Sequence, residues 1–187
     1  YVKGVRIGIK LPDTVNIMIE EESVVYAIKS SDGQWWMMDS DGRVVEQANN
    51  AKAATATQVL GVTLEAPTVN EKGVATEMTP SETNELGELI PVTTTGAQRL
   101  TAALQILKAL ENNDIVGEAA SVDVTSTEDI ILWYGTRYQV NLGDTSRLDY
   151  KVDCMNDAIL QMSDYQSGVL DISFTIWPNQ VGYTPFA

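Results

Sequence analysis

The sequence predicts an α+β protein with a mixed, largely antiparallel sheet and two main helices packed on one face of that sheet. Three observations lead to this prediction. Most of the chain consists of short apolar or alternating segments separated by Gly, Pro, Asp and Asn, which is the pattern of strands and turns. Two longer segments carry apolar residues at helical spacing instead. From residue 100 onward the elements follow as helix, strand, hairpin, helix and strand, so most strand pairs are expected between neighbours in sequence.

The composition fits a protein with a buried core and an acidic surface. The chain has 187 residues, of which 44% are hydrophobic, and a net charge of −14 from 12 Lys and Arg against 26 Asp and Glu. A hydrophobic content of this size argues against global disorder. The acidic balance argues against binding to nucleic acid or to an anionic membrane surface, because both need clusters of Lys and Arg.

Segments for export or membrane anchoring are not visible in the sequence. It contains no run of 18 or more apolar residues and no signal peptide. It opens at Tyr1, within a segment that is expected to be structured, and without an initiator Met. We therefore expect a fragment of a longer protein, with any targeting or anchoring segment left out.

The first half of the chain is predicted to form mainly strands. In residues 14–19 the apolar side chains alternate with a period of two, which predicts a half-buried strand. Further strands are predicted at residues 5–9, 24–28, 35–38, 44–45 and 59–64. Residues 49–58 allow a short helix. The acidic residues 67–88 are predicted to form a long surface loop with short strand pieces around Val74.

The turn at residues 39–42, with the sequence Asp-Ser-Asp-Gly, allows two interpretations. Asp-x-Asp-Gly is part of a calcium-binding loop, but the remaining ligands and the closing Glu are missing. Asp-Gly between two apolar segments is a strong signal for a β-hairpin. We therefore predict a hairpin here and no metal site.

Two helices are predicted, each with an apolar stripe. The first is capped by Thr94 or Thr95 and ends at residues 112–114. The second is capped by Asp144 or Thr145. Its apolar residues are spaced by 4, 3, 4 and 3 positions, which is typical of a core-facing stripe. The stripe consists of Leu148, Val152, Met155, Ile159 and Met162.

The last twenty residues carry the most apolar of the predicted strands. After strands at residues 121–125, 130–134 and 138–142, one further strand is predicted from Val169 to Ile176. Residues 177–179 interrupt it, and residues 181–183 return to an extended chain. A strand this apolar at a chain end must be covered. We predict that it closes the protein's own sheet and also offers an edge, with aromatic side chains, to a partner.

The usual catalytic groups are scarce. The chain has no His and a single cysteine, Cys154, which lies in an apolar register of the second helix and is predicted to be a small buried side chain. No Gly-x-Ser-x-Gly elbow, P-loop or Gly-x-Gly-x-x-Gly motif is present. Carboxylate pairs remain possible, but most acidic residues fall in predicted turns, caps and the 67–88 loop. We therefore predict no enzyme, no catalytic residues, no cofactor and no metal.

Several segments, taken in order, carry the pattern of one protein family. Residues 10–21 resemble a family strand that has a Pro near its start and a Glu-rich end. Residues 22–27 resemble the segment that follows, in which the family often has a Pro where Val24 stands. Residues 36–44 are similar to the next feature, an apolar pair followed by Asp, two variable residues, Gly and an apolar residue.

Two later segments continue the pattern. Residues 131–143 resemble a strand, a Gly turn and a strand ending in Leu-Gly, followed by a helix that carries Lys151. Residues 170–174 are similar to a closing Asp-Leu-Arg-aromatic strand, with Ser173 in place of the common Arg, and residues 181–183 follow. In this order, and over nearly the whole chain, the segments resemble the extracytoplasmic part of the FtsQ/DivIB cell-division family.

The resemblance implies an architecture and a location. In the family, a cytoplasmic tail, one transmembrane helix and a POTRA domain precede a β domain on the outer side of the cell membrane, at the division septum. On this basis residues 1–30 are expected to be the C-terminal part of a POTRA domain. Residues 31–187 are expected to be the β domain.

The resemblance also implies a function without catalysis. Family members bind two small bitopic division proteins, called FtsB/DivIC and FtsL, and help control septal cell-wall synthesis. We expect such a partner to add a strand to the edge of the last strand. The expected partner-binding residues are Ile172, Ser173, Phe174, Thr175, Trp177, Val181, Gly182 and Tyr183. The three aromatic residues among them are the expected anchors.

Two functions of other classes remain as alternatives. One is a secreted cell-wall-binding or adhesion module. The other is a glycosidase that uses paired carboxylates, for which the structure would show a cleft with two carboxyl groups about 5–10 Å apart.

Overall fold

The chain forms two separate β-sheets in this computed structural model, which describes residues 2–10, 13–21, 25–77, 94–175 and 178–186. The smaller sheet is an antiparallel hairpin of β1 (Val2–Lys10) and β2 (Thr14–Glu21). Both strands agree with the sequence-based prediction. The turn at Leu11 and Pro12 lies outside the described residues.

Within the described residues, the larger sheet has nine strands. They are β3 (Tyr26–Ser30), β4 (Trp35–Met38), β5 (Val44–Ala48), β6 (Gln58–Leu64), β7 (Ala119–Asp123), β8 (Ile130–Tyr134), β9 (Tyr138–Gly143), β10 (Gly168–Asp171) and β11 (Gly182–Pro185). Their spatial order is β11-β10-β9-β8-β7-β6-β3-β4-β5. The pairs β3–β6, β6–β7 and β9–β10 are parallel, and the other pairs in this sheet are antiparallel. The predicted mixed, largely antiparallel sheet is therefore confirmed.

Two main helices, α2 (Gly96–Asn112) and α3 (Leu148–Leu160), pack on one face of this sheet, as predicted. A short helix between β5 and β6, α1 (Asn50–Ala53), contributes to a smaller apolar cluster with alternate residues of β3 and β4. The main core combines buried residues of both long helices with the inward residues of the strands. Its members include Ile28, Val59, Leu107, Leu132, Val140, Met155 and Leu170.

The start of α2 agrees with the prediction, whereas the start of α3 does not. Thr95 caps α2 in a capping box, accepting a hydrogen bond from the backbone N–H of Gln98 while the Gln98 side chain accepts one from Thr95. The predicted cap of α3 by Asp144 or Thr145 is wrong. The N-cap position is Arg147, in a left-handed conformation and with no side-chain cap, because the Asp144 carboxylate is engaged by Ser146 and Lys151.

The turn at residues 39–42 joins two antiparallel strands, β4 and β5, so the predicted hairpin is confirmed. The Asp39 carboxylate stabilises it locally by accepting hydrogen bonds from the backbone N–H groups of Asp41 and Arg43, at 3.1 and 2.8 Å. This carboxylate therefore shapes the turn itself.

The β1–β2 hairpin departs from the expected half-buried pattern. Val15 and Ile17 are 60% and 63% exposed, and Met18, which points to the other face, is 62% exposed. Alternation along β2 predicts a strand with one covered face, and among the described residues neither face of this strand is covered. An apolar strand pair of this kind is a surface that needs a partner layer.

Two further predictions differ in detail from the structure. Cys154 is half-buried rather than buried. In the predicted 67–88 loop, backbone bridges join Lys72 to Arg43 and Ala75 to Leu64, so the expected strand pieces near Val74 are present as isolated bridges. The remainder of that loop, residues 78–88, lies outside the described residues.

Candidate functional site at the open edge of the sheet

The strand predicted from Val169 to Ile176 is shorter in the structure. β10 ends at Asp171, whose carboxylate accepts hydrogen bonds from the backbone N–H and the hydroxyl of Ser173, at 3.0 and 2.7 Å. This local turn bends the chain away from the sheet, and Phe174 follows with a φ of 58°. The prediction of one strand through Ile176 was therefore wrong, because an apolar run cannot reveal that an Asp side chain captures the backbone two residues later.

The turn separates the expected site residues into different environments. Ile172 is fully buried in the main core, so its side chain supports the sheet and does not face a partner. Ser173 is half-buried within the turn, and Thr175 is exposed beyond it. Ile176 and Trp177 lie outside the described residues.

Phe174 belongs to a cluster at the start of α3 rather than to the sheet edge. The Arg147 guanidinium lies 5.1 Å from the Phe174 ring centre and 5.5 Å from that of Tyr150, and the two rings are 5.7 Å apart. Arg147 Nη1 also donates a hydrogen bond to Asn179 Oδ1 at 3.0 Å. This cluster fastens the chain between β10 and β11 to the helix.

β11 brings Gly182 and Tyr183 to the end of the nine-stranded sheet, with Val181 directly before it. It pairs with β10 on one side, with Tyr183 opposite Leu170 and Thr184 opposite Val169. The Tyr183 ring packs against the core, and its hydroxyl donates a hydrogen bond to the carbonyl oxygen of Ser167 at 3.1 Å. The strand is therefore a fixed part of the fold.

The register of β11 determines which of its backbone N–H and C=O groups point away from β10. Phe186 N–H donates to the carbonyl of Ser167, so every second residue counted back from Phe186, including Thr184, directs its backbone N–H and C=O towards β10. Tyr183 then directs its N–H and C=O away from the sheet. Pro185 has the same parity as Tyr183, so the N–H that a proline lacks falls on the outer side and weakens no bond to β10.

The two ends of the large sheet differ. At β5, residues 70–73 run alongside the strand, and Val44 exchanges backbone hydrogen bonds of 2.8 Å with Asn70 and Glu71. At β11, no element of the described residues pairs with the outer side. The open edge is therefore the one formed by Tyr183 and its neighbours, and an open edge is a template for an added strand.

Sequence reasoning missed two features of this edge, a ring contact and a groove. Phe186, after β11, stacks on Trp133 of β8, with ring centres 6.2 Å apart, and so fastens the end of the chain across the sheet. Beside Tyr183, a groove of about 450 Å³ opens between β11 and the outer flank of α3. The spacing of the predicted apolar stripe gave no signal for this groove, because only Met162 of that stripe lines it and the rest of the stripe is directed at the core.

The carboxylate arrangement expected of a glycosidase has one candidate among the described cavities. Asp32 and Glu65 line the same shallow cavity of about 440 Å³. A hydrogen bond from the Ser30 hydroxyl lowers the pKa of Asp32 below its ordinary value. A general acid in such an enzyme needs a raised pKa, so Asp32 is poorly suited to that role. Within the described residues, no three His, Cys, Asp or Glu side chains come together as a metal site.

The fold defines the chain as an α+β protein with a mixed sheet, in which the outer side of β11 has no partner strand among the described residues. No protein-family model matches the chain. The cell division protein DivIB of Clostridium tetani (strain Massachusetts / E88) is 24% identical to it over 177 residues, which are 93% of this chain. The chain spans 59% of the length of that relative. The chain is thus similar to a cell division protein DivIB over nearly its whole length. None of the helices within the described residues has the length and hydropathy needed to cross a membrane.

Proposed function

We propose that this chain is the extracytoplasmic part of a cell-division protein that acts without catalysis, as a scaffold at the division septum. Its similarity to a curated cell division protein over nearly its whole length supports the cell-division role. The proposed partners are FtsB/DivIC-like and FtsL-like bitopic proteins. Through them the protein would help control septal cell-wall synthesis.

The observation that carries the proposal is the open outer edge of β11. A partner segment that pairs there would receive hydrogen bonds from the Tyr183 N–H and donate to the Tyr183 C=O, extending the sheet by one strand. Gly182, on the same strand, has no side chain that would hinder the approach of another backbone. Of the expected site residues, Val181, Gly182 and Tyr183 thus form the proposed contact, and Phe174 holds the preceding turn in place.

The domain organisation is also a proposal. The exposed apolar side chains of β1 and β2 fit the last strands of a POTRA domain, whose other elements would cover them. β3 pairs with β4 and β6 of the large sheet, so we place the boundary between the two domains before Val25 rather than at residue 30. We propose that one transmembrane helix anchors the full-length protein and that both domains lie on the outer side of the membrane.

Binding to the cognate FtsB/DivIC-like protein tests the function. The extracytoplasmic segment of that partner is titrated into the wild-type chain and into a variant that lacks residues 181–187. Loss of the edge strand should weaken binding by at least about tenfold, which corresponds to about 1.4 kcal/mol. Unchanged affinity, with the fold intact by circular dichroism, would remove β11 from the binding site.

The contribution of the Tyr183 side chain is tested separately from the strand. Tyr183→Ala removes the ring and its contact with the core, whereas Tyr183→Phe keeps the ring and removes only the hydrogen bond to Ser167. We expect weaker binding in Tyr183→Ala and near wild-type binding in Tyr183→Phe. Equal affinities for both variants would mean that the ring is not an anchor.

A further inference from the structure

We infer that α3 forms the second wall of the docking site, and that the partner segment presents an apolar side chain flanked by Lys or Arg. This inference rests on the proposed function of the β11 edge and specifies the chemistry of its partner. It is carried by the groove between α3 and β11 and by the charges around that groove.

The groove has an apolar floor and lies directly beside the open edge. One wall is the outer flank of α3, where Cys154, Ala158 and Gln161 follow each other at helical spacing, with Met162 just after the helix. The other wall is formed by Val181 and Tyr183. The apolar members of both walls are half-buried, so a further apolar side chain would complete their burial.

The geometry of an added strand directs one side chain into this groove. A neighbouring strand lies about 4.8 Å from β11, and residues directly opposite each other in a pair point to the same face of the sheet. The Tyr183 ring points to the helix-covered face, because it packs against the main core. The partner residue opposite Tyr183 therefore points to that face as well, over Ala158 and Met162. An apolar residue at this position fits the groove.

The negative charge at the groove favours a basic side chain near that apolar residue of the partner. Asp157 is exposed and lines the groove. Among the described residues that line the groove, Asp157 is the only charged one. A partner residue two positions from the apolar one lies on the same face, and a Lys or Arg there can reach Asp157 along its aliphatic stem.

The same charges disfavour pairing of two copies of this chain through β11. Each copy would bring Asp157 and no basic side chain of the groove lining to the contact. Like charges placed across an interface repel each other and suppress such pairs. A basic partner segment is thus the occupant that complements this edge.

A charge-reversal experiment tests the inference. The probes are overlapping 15-residue peptides that cover the extracytoplasmic segment of the cognate FtsB/DivIC-like protein. The peptide that binds most tightly should contain an apolar residue with Lys or Arg two positions away. Asp157→Lys should weaken its binding by about tenfold at low salt, and the effect should shrink at high salt. Glu128→Lys, which changes the net charge equally on the loop between β7 and β8, should change the affinity by less than about twofold.

The reactivity of Cys154 can be used to detect binding in the groove, because Cys154 lines the groove and is the single cysteine of the chain. Alkylation of Cys154 by iodoacetamide should slow when the peptide is bound. A peptide that binds in a β11-dependent manner, yet leaves both the Cys154 rate and the Asp157→Lys affinity unchanged, would overturn the inference and leave the β11 proposal standing. A peptide whose binding does not depend on residues 181–187 would overturn both.

Discussion

Lys151 is the most deeply buried charge among the described residues. Its side chain is 1% exposed, and Nζ donates hydrogen bonds to the carbonyls of Leu142 and Asp144, both at 2.8 Å, and to the Asp144 carboxylate at 2.9 Å. All three donors of the ammonium group are used, which offsets the cost of burying it. The lysine therefore ties the end of β9 to the first turn of α3.

Replacing this lysine should destabilise the fold markedly. Lys151→Met keeps much of the volume but removes the donor to the buried carbonyl of Leu142 and to the partly buried carbonyl of Asp144, so we expect the free energy of unfolding to fall by about 3 kcal/mol. Lys108→Met removes an exposed lysine paired with Asp41 and should change the free energy of unfolding by less than about 0.5 kcal/mol. Urea denaturation of both variants checks this, and equal effects would show that the Lys151 contacts contribute little.

The carboxyl group of Asp144 gives the same turn a pH dependence. The hydrogen bond from Ser146, and then that from Lys151, lower the pKa of Asp144 from 3.8 to about 2. A lowered pKa stabilises the folded state above pH 3.8, and this contribution is lost as the pH falls towards 2. Asp144→Asn should therefore be less stable than the wild type at about pH 6, and the difference should narrow at about pH 2.5. If the difference in the free energy of unfolding between the two proteins, measured by urea denaturation, is the same at both pH values, the stabilising role of the Asp144 carboxylate would be contradicted.

Gly61, in β6, is required for two separate reasons. Its φ is 81°, and a Cβ atom there would lie 2.2 Å from the backbone nitrogen of Thr125. Gly33 has the same φ of 81°, but a Cβ atom added there would have no heavy atom within 4 Å. Gly33→Ala should cost about 1 kcal/mol for the backbone conformation alone, whereas Gly61→Ala should cost at least about 3 kcal/mol. Thermal denaturation of the two variants measures the difference, and similar melting temperatures would refute the close contact.

Among the elements, those with a complete local signal were predictable from the sequence. The stop at residues 112–114 and the cap at Thr95 place α2 almost to the residue. The end of β10 was not predictable, because Ile172 continues the apolar run into the core after the strand has ended. The start of α3 was missed because Asp144, a good cap by type, serves Lys151 instead. In both cases a tertiary or side-chain contact overrides the local pattern.

The position of β3 in the sheet predicts where the shortest chain that still folds must begin. β3 lies inside the large sheet, between β4 and β6, whereas β1 and β2 pair with no other strand within the described part of the chain. A chain that begins at Val25 should retain the large sheet and unfold cooperatively. A chain that begins at Ser31 lacks β3 and should lose the strand that joins β4 to β6. Circular dichroism and thermal denaturation compare the two, and equal stability would place β3 outside the fold.

In the molecule as a whole, the sequence motifs account for the resemblance to one family, while the candidate site depends on the arrangement of distant segments. The open edge arises because residues 70–73 accompany β5 and no described segment accompanies β11. The groove arises because α3 and Tyr183, which are distant in the chain, form its two walls. Periodicity along one element cannot reveal either feature, since both are contacts between elements.

The central claim is that a partner adds a strand to β11, and amide hydrogen exchange tests it most directly. In the free protein, the outward N–H of Tyr183 should exchange quickly, and that of Thr184, which faces β10, should exchange slowly. The bound segment of the FtsB/DivIC-like protein should slow exchange at Tyr183 by at least about tenfold and leave Thr184 unchanged. A segment that binds without slowing exchange at Tyr183 would contradict the account.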